Sequence, residues 1–237
     1  MNQNLTKKIN SLLNIKDSSQ APRKIWEILY SDKEQRDNYF KKFLEAFDKD
    51  LSYDWFSEYF QEKTASRNKH KYDYTPDKIN ELVNRIVGNG HTLYYEPLAG
   101  TGGTVINRWY QDQMQHTIFD YKPSMYFYKA EEISDDNIPI LLFNMLIRGM
   151  NGVVIQCDVL TREAYGVFYI QNDENDALGF STLNRLEYTE RIEKEFDIKF
   201  VEHKYSDITQ TEGIPKWLIE EISEQIDKVE GISDISR

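Results

Sequence analysis

Residues 96–103 read EPLAGTGG, and this stretch decides the fold. An apolar, aromatic run (TLYY, 92–95) precedes it, and a segment with a helical pattern (TVINRW, 104–109) follows it. The order is therefore strand, glycine turn, helix. Glycine adopts the backbone angles of so tight a turn without steric cost, and its missing Cβ lets a ligand approach the start of the helix. We expect a ligand-binding loop here, with a glycine order that differs from the G-x-G-x-x-G of dinucleotide-binding folds.

Composition limits the classes of protein that the chain can represent. Its 237 residues, 40% hydrophobic and 29% charged, are enough for one large domain with a buried core. No apolar stretch of about 18 residues is present and the N-terminus is polar, which predicts neither a membrane span nor a secretory signal. The single cysteine, Cys157, excludes an internal disulfide and a cysteine-based zinc cluster, so we expect a cytoplasmic protein without a metal site. The net charge of −11 argues against strong DNA binding by the chain alone.

Apolar periodicity divides the chain into three parts. Residues 1–73 contain no glycine and repeat apolar side chains at helical spacing, which predicts a helical N-terminal region. Residues 74–210 alternate helices with strands, which is typical of an α/β domain with a doubly wound parallel sheet and helices on both faces. The predicted strands are 92–96, 125–130, 152–157 and 166–171. Residues 211–237 contain an amphipathic helix, which suits packing in the core or between the two copies of a homodimer.

Acidic residues follow two of the predicted strands. Glu131 and Glu132 come after the second strand, and Asp158 comes after the third. Ligands of parallel α/β sheets bind at the carboxyl ends of the strands, where an acid can accept hydrogen bonds from both hydroxyls of a ribose. The helix between these strands carries Asn144 and is closed by Gly149. Each of these residues alone also fits a solvated or capping position.

Together the motifs resemble those of the adenine-specific DNA methyltransferases. EPLAGTGG resembles motif I of that family, D-P-x-x-G-T-G-G, and CDVL (157–160) resembles its G-D-x-L. Tyr74-Thr75-Pro76 resembles its Y-T-P segment. Over residues 55–200 the chain is most similar to the modification subunit of type I restriction–modification systems, in a short branch often carried by phages and plasmids.

This resemblance implies a Rossmann-like methyltransferase fold that binds S-adenosylmethionine. It assigns the methionine end of the cofactor to the glycine loop, the cofactor carboxylate to the helix start at Tyr74 and Thr75, the ribose to Glu132 and the adenine amino group to Asp158. The loop residues that it implicates in cofactor binding are Glu96, Pro97, Ala99, Gly100, Thr101 and Gly102.

The chain departs from the family at motif IV, which usually reads N-P-P-F or N/D-P-P-Y after the fourth strand. In the family the Asn or Asp side chain and a proline carbonyl accept the hydrogens of the adenine amino group, and the aromatic ring stacks on the flipped base. Here residues 172–180 read NDENDALGF, which offers Asn172 as the catalytic residue but no pair of prolines. Three acids in this loop would also repel a DNA strand.

Three hypotheses about function follow. The chain is a DNA adenine N6-methyltransferase that works with a partner such as a specificity subunit, because it has no target-recognition domain of its own. Alternatively, it is a catalytically silent relative that binds S-adenosylmethionine and docks on host restriction or other defence proteins. The third hypothesis is a plain nucleotide-binding domain. Under the first two, DNA is contacted weakly or through the partner.

Overall fold

The computed structural model describes residues 3–57, 59–60 and 92–211. The described helices and strands are, in chain order, α1 (Gln3–Leu13), α2 (Ala21–Leu29), α3 (Lys33–Ala46), β1 (Leu93–Glu96), α4 (Gly103–Met114), β2 (Phe127–Glu132), α5 (Ile138–Ile147), β3 (Gly152–Cys157), β4 (Glu163–Gln171), β5 (Thr182–Arg185), α6 (Glu190–Phe196) and β6 (Lys199–Phe200). The predicted helix start at Tyr74 and Thr75 lies outside the described residues, as does the predicted C-terminal helix beyond residue 211.

Local sequence signals explain where the N-terminal helices begin. Asp32 precedes α3, and its side chain accepts a hydrogen bond from the backbone N–H of Gln35 at 2.9 Å. This bond satisfies one of the free donors of the first helical turn. Pro22 lies in the first turn of α2, where its missing N–H costs nothing. α5 is buried on every side, as its uninterrupted apolar sequence predicts.

The six strands form one mixed sheet in the order β1-β2-β3-β4-β5, with β6 beside β4. β1, β2 and β3 are parallel, and α4 and α5 connect them. β4 is antiparallel to both β3 and β5, and β6 is parallel to β4. The architecture is therefore a mixed α/β fold with an open sheet, compatible with a Rossmann-like fold.

The prediction of a parallel sheet is correct for the first three strands and wrong for the fourth. The prediction of a doubly wound sheet is wrong for the described strands, because their order β1-β2-β3-β4-β5 has no reversal. Only residues 158–162 join β3 to β4, whereas a parallel connection needs a dozen residues or more. The chain therefore turns back on itself in a hairpin. β2 also runs two residues further than predicted and includes Glu131 and Glu132, and neither β5 nor α6 was predicted.

Helices cover both faces of the sheet. On one face, strand side chains such as Val154 and Phe168 share a hydrophobic cluster with residues from α1 to α5. On the other face, Val153 and Tyr169 pack in a second cluster with α6. The N-terminal helices belong to the first cluster, because rings from this region surround Phe143 of α5. Phe40, Phe43 and Phe56 lie 5.0, 4.9 and 5.6 Å from it between ring centroids.

None of the described helices is long and apolar enough to cross a membrane.

Candidate functional site

The glycine loop between β1 and α4 has the conformation that its sequence predicts. Gly100 and Gly102 have φ angles of +56° and +99°, in the left-handed region that favours glycine. The Gly102 N–H donates to the carbonyl of Ala99 at 2.8 Å, which closes the turn directly before α4. A Cβ on Gly102 would lie 2.8 Å from Cδ1 of Leu141, whereas a Cβ on Gly100 would meet no atom within 4 Å. Gly102 is therefore required for packing, and Gly100 faces open space.

Glu132 joins this loop to the loop after β2. Its carboxylate accepts hydrogen bonds from the backbone N–H of Gly100 at 2.8 Å, of Ile133 at 2.9 Å and of Ser134 at 2.7 Å. Its side chain is largely buried. The structure therefore brings Glu132 and Gly100 together.

Glu131 points to the other face of the sheet and is fully buried. Arg162 binds its carboxylate through two nitrogens at 2.7 and 3.1 Å, and the hydroxyl of Tyr95 donates to it at 2.9 Å. Burial alone would raise the pKa of Glu131, but these hydrogen bonds and the charge of Lys129 hold that pKa below its ordinary value. Arg162 and Tyr95 hold Glu131 on the other face of the sheet, so Glu132 is the glutamate that contacts the glycine loop.

Asp158 lies at the same edge of the sheet, since it follows β3 and β3 runs parallel to β2. One oxygen of its carboxylate accepts hydrogen bonds from the backbone N–H of Leu160 at 2.8 Å and of Thr161 at 3.1 Å. The side chain thus holds the tight turn between β3 and β4. At the end of β1, Glu96 accepts a hydrogen bond from the hydroxyl of Tyr94 at 2.8 Å, and Pro97 follows it in the turn.

Sequence reasoning missed Asp54, which reaches the glycine loop from the N-terminal region. The Thr101 hydroxyl donates to one oxygen of the Asp54 carboxylate. The Asn144 side-chain amide donates to the other oxygen at 2.9 Å and also to the Thr101 carbonyl at 2.8 Å. No motif identifies Asp54, because its role depends on the packing of the N-terminal helices against α5.

Burial raises the pKa of the Asp54 carboxyl above its ordinary value, although hydrogen bonds from Thr101, Phe56 and Asn144 oppose this effect. Arg148, the residue directly after α5, is also buried, and burial lowers its pKa to about 10. Its guanidinium donates to the carbonyls of Leu51 and Tyr53 at 2.9 and 2.7 Å. The loop is thus backed by a buried polar network that contains one acidic and one basic group.

Asn172 is not brought to this site. Because β4 is antiparallel to β3, its last residues lie beside the first residues of β3, with Ile170 opposite Gly152. The Asn172 amide nitrogen donates to the carbonyls of Gly149 at 3.1 Å and Asp176 at 2.8 Å, and its oxygen accepts from the Asp176 N–H at 3.0 Å. Asn172 thus organises its own loop at the amino edge of the parallel strands, the opposite edge from Gly100.

A groove of about 220 Å³ lies at that opposite edge, between α3 and residues 172–182. Its charged lining residues are Lys33, Asp37, Lys41, Asp173, Glu174 and Asp176. Charges of both signs line this groove, together with Asn172 and Gly179. The glycine loop, Glu132 and Asp158 lie at the other edge of the sheet.

The predicted cofactor residues Glu96, Pro97, Ala99, Gly100, Thr101 and Gly102 thus form one loop, with Glu132 bonded to it and Asp158 on the same edge. Tyr74 and Thr75 lie outside the described residues. Within residues 3–57, 59–60 and 92–211, no group of three or more His, Cys, Asp or Glu side chains could hold a metal ion.

The chain matches no family model, no curated protein and no solved structure.

Proposed function

We propose that the chain binds S-adenosylmethionine at the glycine loop, as a methyltransferase-like protein related to the modification subunits of type I restriction–modification systems. The observation that carries this proposal is the hydrogen bond between the Glu132 carboxylate and the Gly100 N–H at 2.8 Å. It places an acid from the end of β2 against an open glycine turn at the start of a helix. A nucleoside at this edge would have its ribose hydroxyls beside a carboxylate.

The charges at the loop favour a cationic ligand over a nucleotide phosphate. Phosphate-binding loops offer free backbone N–H groups to the anion. Here the Gly100 N–H already donates to Glu132 and the Gly102 N–H to the Ala99 carbonyl. The carboxylates of Glu132 and Asp54 both contact the loop, so they would repel a phosphate and attract a sulfonium or ammonium group. This observation argues against the plain nucleotide-binding hypothesis.

Between an active DNA adenine methyltransferase and a catalytically silent relative, the position of Asn172 favours the silent relative. Methyl transfer needs the acceptor base within bonding distance of the cofactor methyl group. Asn172 lies at the opposite edge of the sheet from the glycine loop, and its side-chain amide is engaged within its own loop. We therefore propose a cofactor-binding protein that docks on host restriction or other defence proteins, in place of an enzyme that methylates DNA itself.

Titration calorimetry with S-adenosylmethionine and S-adenosylhomocysteine tests the binding proposal directly. We expect both ligands to bind, and we expect Gly100→Val to abolish binding because its side chain would fill the open space at the loop. An absence of heat with both ligands would refute the proposal.

An assay for transfer of a labelled methyl group to DNA distinguishes the active DNA methyltransferase from the catalytically silent relative. We expect no labelled DNA, with or without an added specificity subunit. Labelled DNA from the native chain, lost in Asn172→Ala, would overturn the silent reading and support the enzyme.

A further inference from the structure

Gln156 is a buried polar side chain next to Glu132, and no sequence motif assigns it a role. It lies on β3 directly opposite Glu132 of β2, in the parallel pairing of these two strands. Only 1% of its surface is exposed. An amide buried without hydrogen-bond partners is unfavourable, so the contacts of Gln156 must account for a glutamine at this position.

Those contacts hold the loop that follows Glu132. The side-chain nitrogen of Gln156 donates to the backbone carbonyl of Ile133 at 2.9 Å and to the carboxylate of Asp135. The side-chain oxygen of Gln156 accepts a hydrogen bond from the hydroxyl of Tyr205. Both N–H groups of the amide are thus used on residues 133–135, and Tyr205 fixes the orientation of the amide.

Burial does not hold this loop in place, because Ile133 and Asp135 are both exposed. The Asp135 carboxylate is also bonded to the ammonium group of Lys204, which is the neighbour of Tyr205 in the chain. Polar contacts from β3 and from residues 204–205 therefore determine where the loop lies.

The loop in turn orients the carboxylate of Glu132. Oε1 of Glu132 accepts from the backbone N–H groups of Ile133 and Ser134, and Oε2 accepts from the N–H of Gly100. An ionised carboxylate has about four acceptor positions, so Oε2 keeps one for a ligand hydroxyl. The direction of this free position depends on the two loop N–H groups, and through them on Gln156.

We propose that Gln156 is a positioning residue that directs the Glu132 carboxylate at the ribose of the ligand, with Tyr205 fixing the Gln156 amide. This inference rests on the proposed binding of S-adenosylmethionine at the glycine loop. It adds to that site a buried residue of β3 and a residue from the chain after β6. Neither residue needs to touch the ligand, because both act through the loop at 133–135.

A comparison of two ligands and two proteins by titration calorimetry tests this inference. The ligands are S-adenosylhomocysteine and its 2′,3′-dideoxy analogue, which lacks only the two ribose hydroxyls, and the proteins are the native chain and Gln156→Met. We expect the native chain to bind S-adenosylhomocysteine about tenfold more tightly than the analogue, as one hydrogen bond to a charged group supplies. Methionine fills a similar volume but donates no hydrogen bond, so in Gln156→Met this preference should fall to about twofold or less.

Gln171→Met is the matched control. It makes the same substitution on the neighbouring strand β4, where the side-chain oxygen of Gln171 has no hydrogen-bond partner among the described residues. This variant should keep the tenfold preference of the native chain. A purely structural role of Gln156 would lower the affinity for both ligands by the same factor and leave their ratio unchanged, which would overturn the inference.

Tyr205→Phe gives a second test if Gln156→Met fails to fold. It removes only the hydroxyl that binds Gln156 and keeps the ring that packs against Trp26 and Phe168. The preference should fall to about threefold or less, and an unchanged preference would count against the inference.

The native chain separates this inference from the proposed function. Equal affinity of the native chain for S-adenosylhomocysteine and the dideoxy analogue would refute the role of Gln156 while leaving the binding proposal intact. No binding of either ligand to the native chain would instead refute the proposed function, and with it this inference.

Discussion

Gly100→Ala should separate the conformational role of the glycine loop from its role in binding. Gly100 has a φ of +56°, a conformation that costs an L-amino acid roughly 1–2 kcal/mol. The added Cβ would meet no atom within 4 Å, so no packing cost is added. We therefore expect the free energy of unfolding to fall by about 1–2 kcal/mol, with the fold retained.

The same Cβ would project into the space that we assign to the ligand. A methyl group there displaces the ligand from the backbone of the turn, and we expect the affinity for S-adenosylhomocysteine to fall at least about tenfold, or about 1.4 kcal/mol. Urea unfolding measures the first effect and titration calorimetry on the folded variant measures the second. Unchanged affinity in Gly100→Ala would refute the placement of the ligand at this turn.

Gly102→Ala is the control for this experiment. Gly102 has a φ of +99°, and a Cβ there would lie 2.8 Å from Leu141 Cδ1. Strain and overpacking together should cost about 2–5 kcal/mol, more than in Gly100→Ala. Equal destabilisation by the two substitutions would contradict the open space that the structure places at Gly100.

Three other predictions concern buried groups. Cys157 is fully buried and burial raises the pKa of its thiol to about 12, so a thiol-specific reagent should leave the native protein unmodified and react on unfolding in urea; fast reaction of the native protein would refute this burial. The pKa of Glu131 is held below its ordinary value, so the ionised carboxylate stabilises the folded protein at a pH above the ordinary pKa. This stabilisation is lost as the pH falls through the lowered pKa. Glu131→Gln should therefore weaken the pH dependence of the free energy of unfolding between about pH 6 and about pH 3. The same pH dependence in the variant and the native protein would contradict this reasoning. Asn172→Ala removes three hydrogen bonds from the loop at the amino edge, so it should destabilise the protein by about 1–3 kcal/mol and leave the affinity for S-adenosylhomocysteine unchanged, whereas a large loss of affinity would connect Asn172 to the glycine loop.

Local patterns were sufficient to predict the glycine loop and the elements on either side of it. The strand before Glu96 and the helix after Gly102 depend on neighbouring residues, namely an apolar run, a glycine turn and helical periodicity. Glu132, which the sequence suggested as the acid after the second strand, contacts the loop, although the strand ends two residues later than expected. Its role in binding a ribose stays a prediction. For the strand, the turn and the helix, the signal and the structure involve the same short stretch of chain, whereas the contact of Glu132 with Gly100 follows from the parallel pairing of β1 and β2.

Features that depend on distant parts of the chain were not predictable in this way. Asp54 contacts Thr101 only because aromatic rings of the N-terminal region pack against Phe143, and no local pattern encodes that contact. The reversal of β4 was visible in principle, since five residues between two strands cannot hold a crossover helix. Periodicity identifies a strand but carries no information about its direction, and the alternation of the preceding elements favoured a parallel arrangement.

The turn at residues 158–162 determines that Asp158 lies at the same edge of the sheet as the glycine loop and that Asn172 does not. It holds Asp158 at the carboxyl end of β3, and by reversing the chain it places Asn172 at the opposite edge. A parallel fourth strand would need a connection of a dozen residues or more, so no single substitution in residues 172–180 can bring Asn172 beside Gly100. If the chain descends from an active methyltransferase, loss of the crossover would remove catalysis while leaving the ligand loop intact. Under the proposed function we therefore expect S-adenosylmethionine to bind without methyl transfer to DNA, because the glycine loop and Asn172 depend on different connections of the sheet.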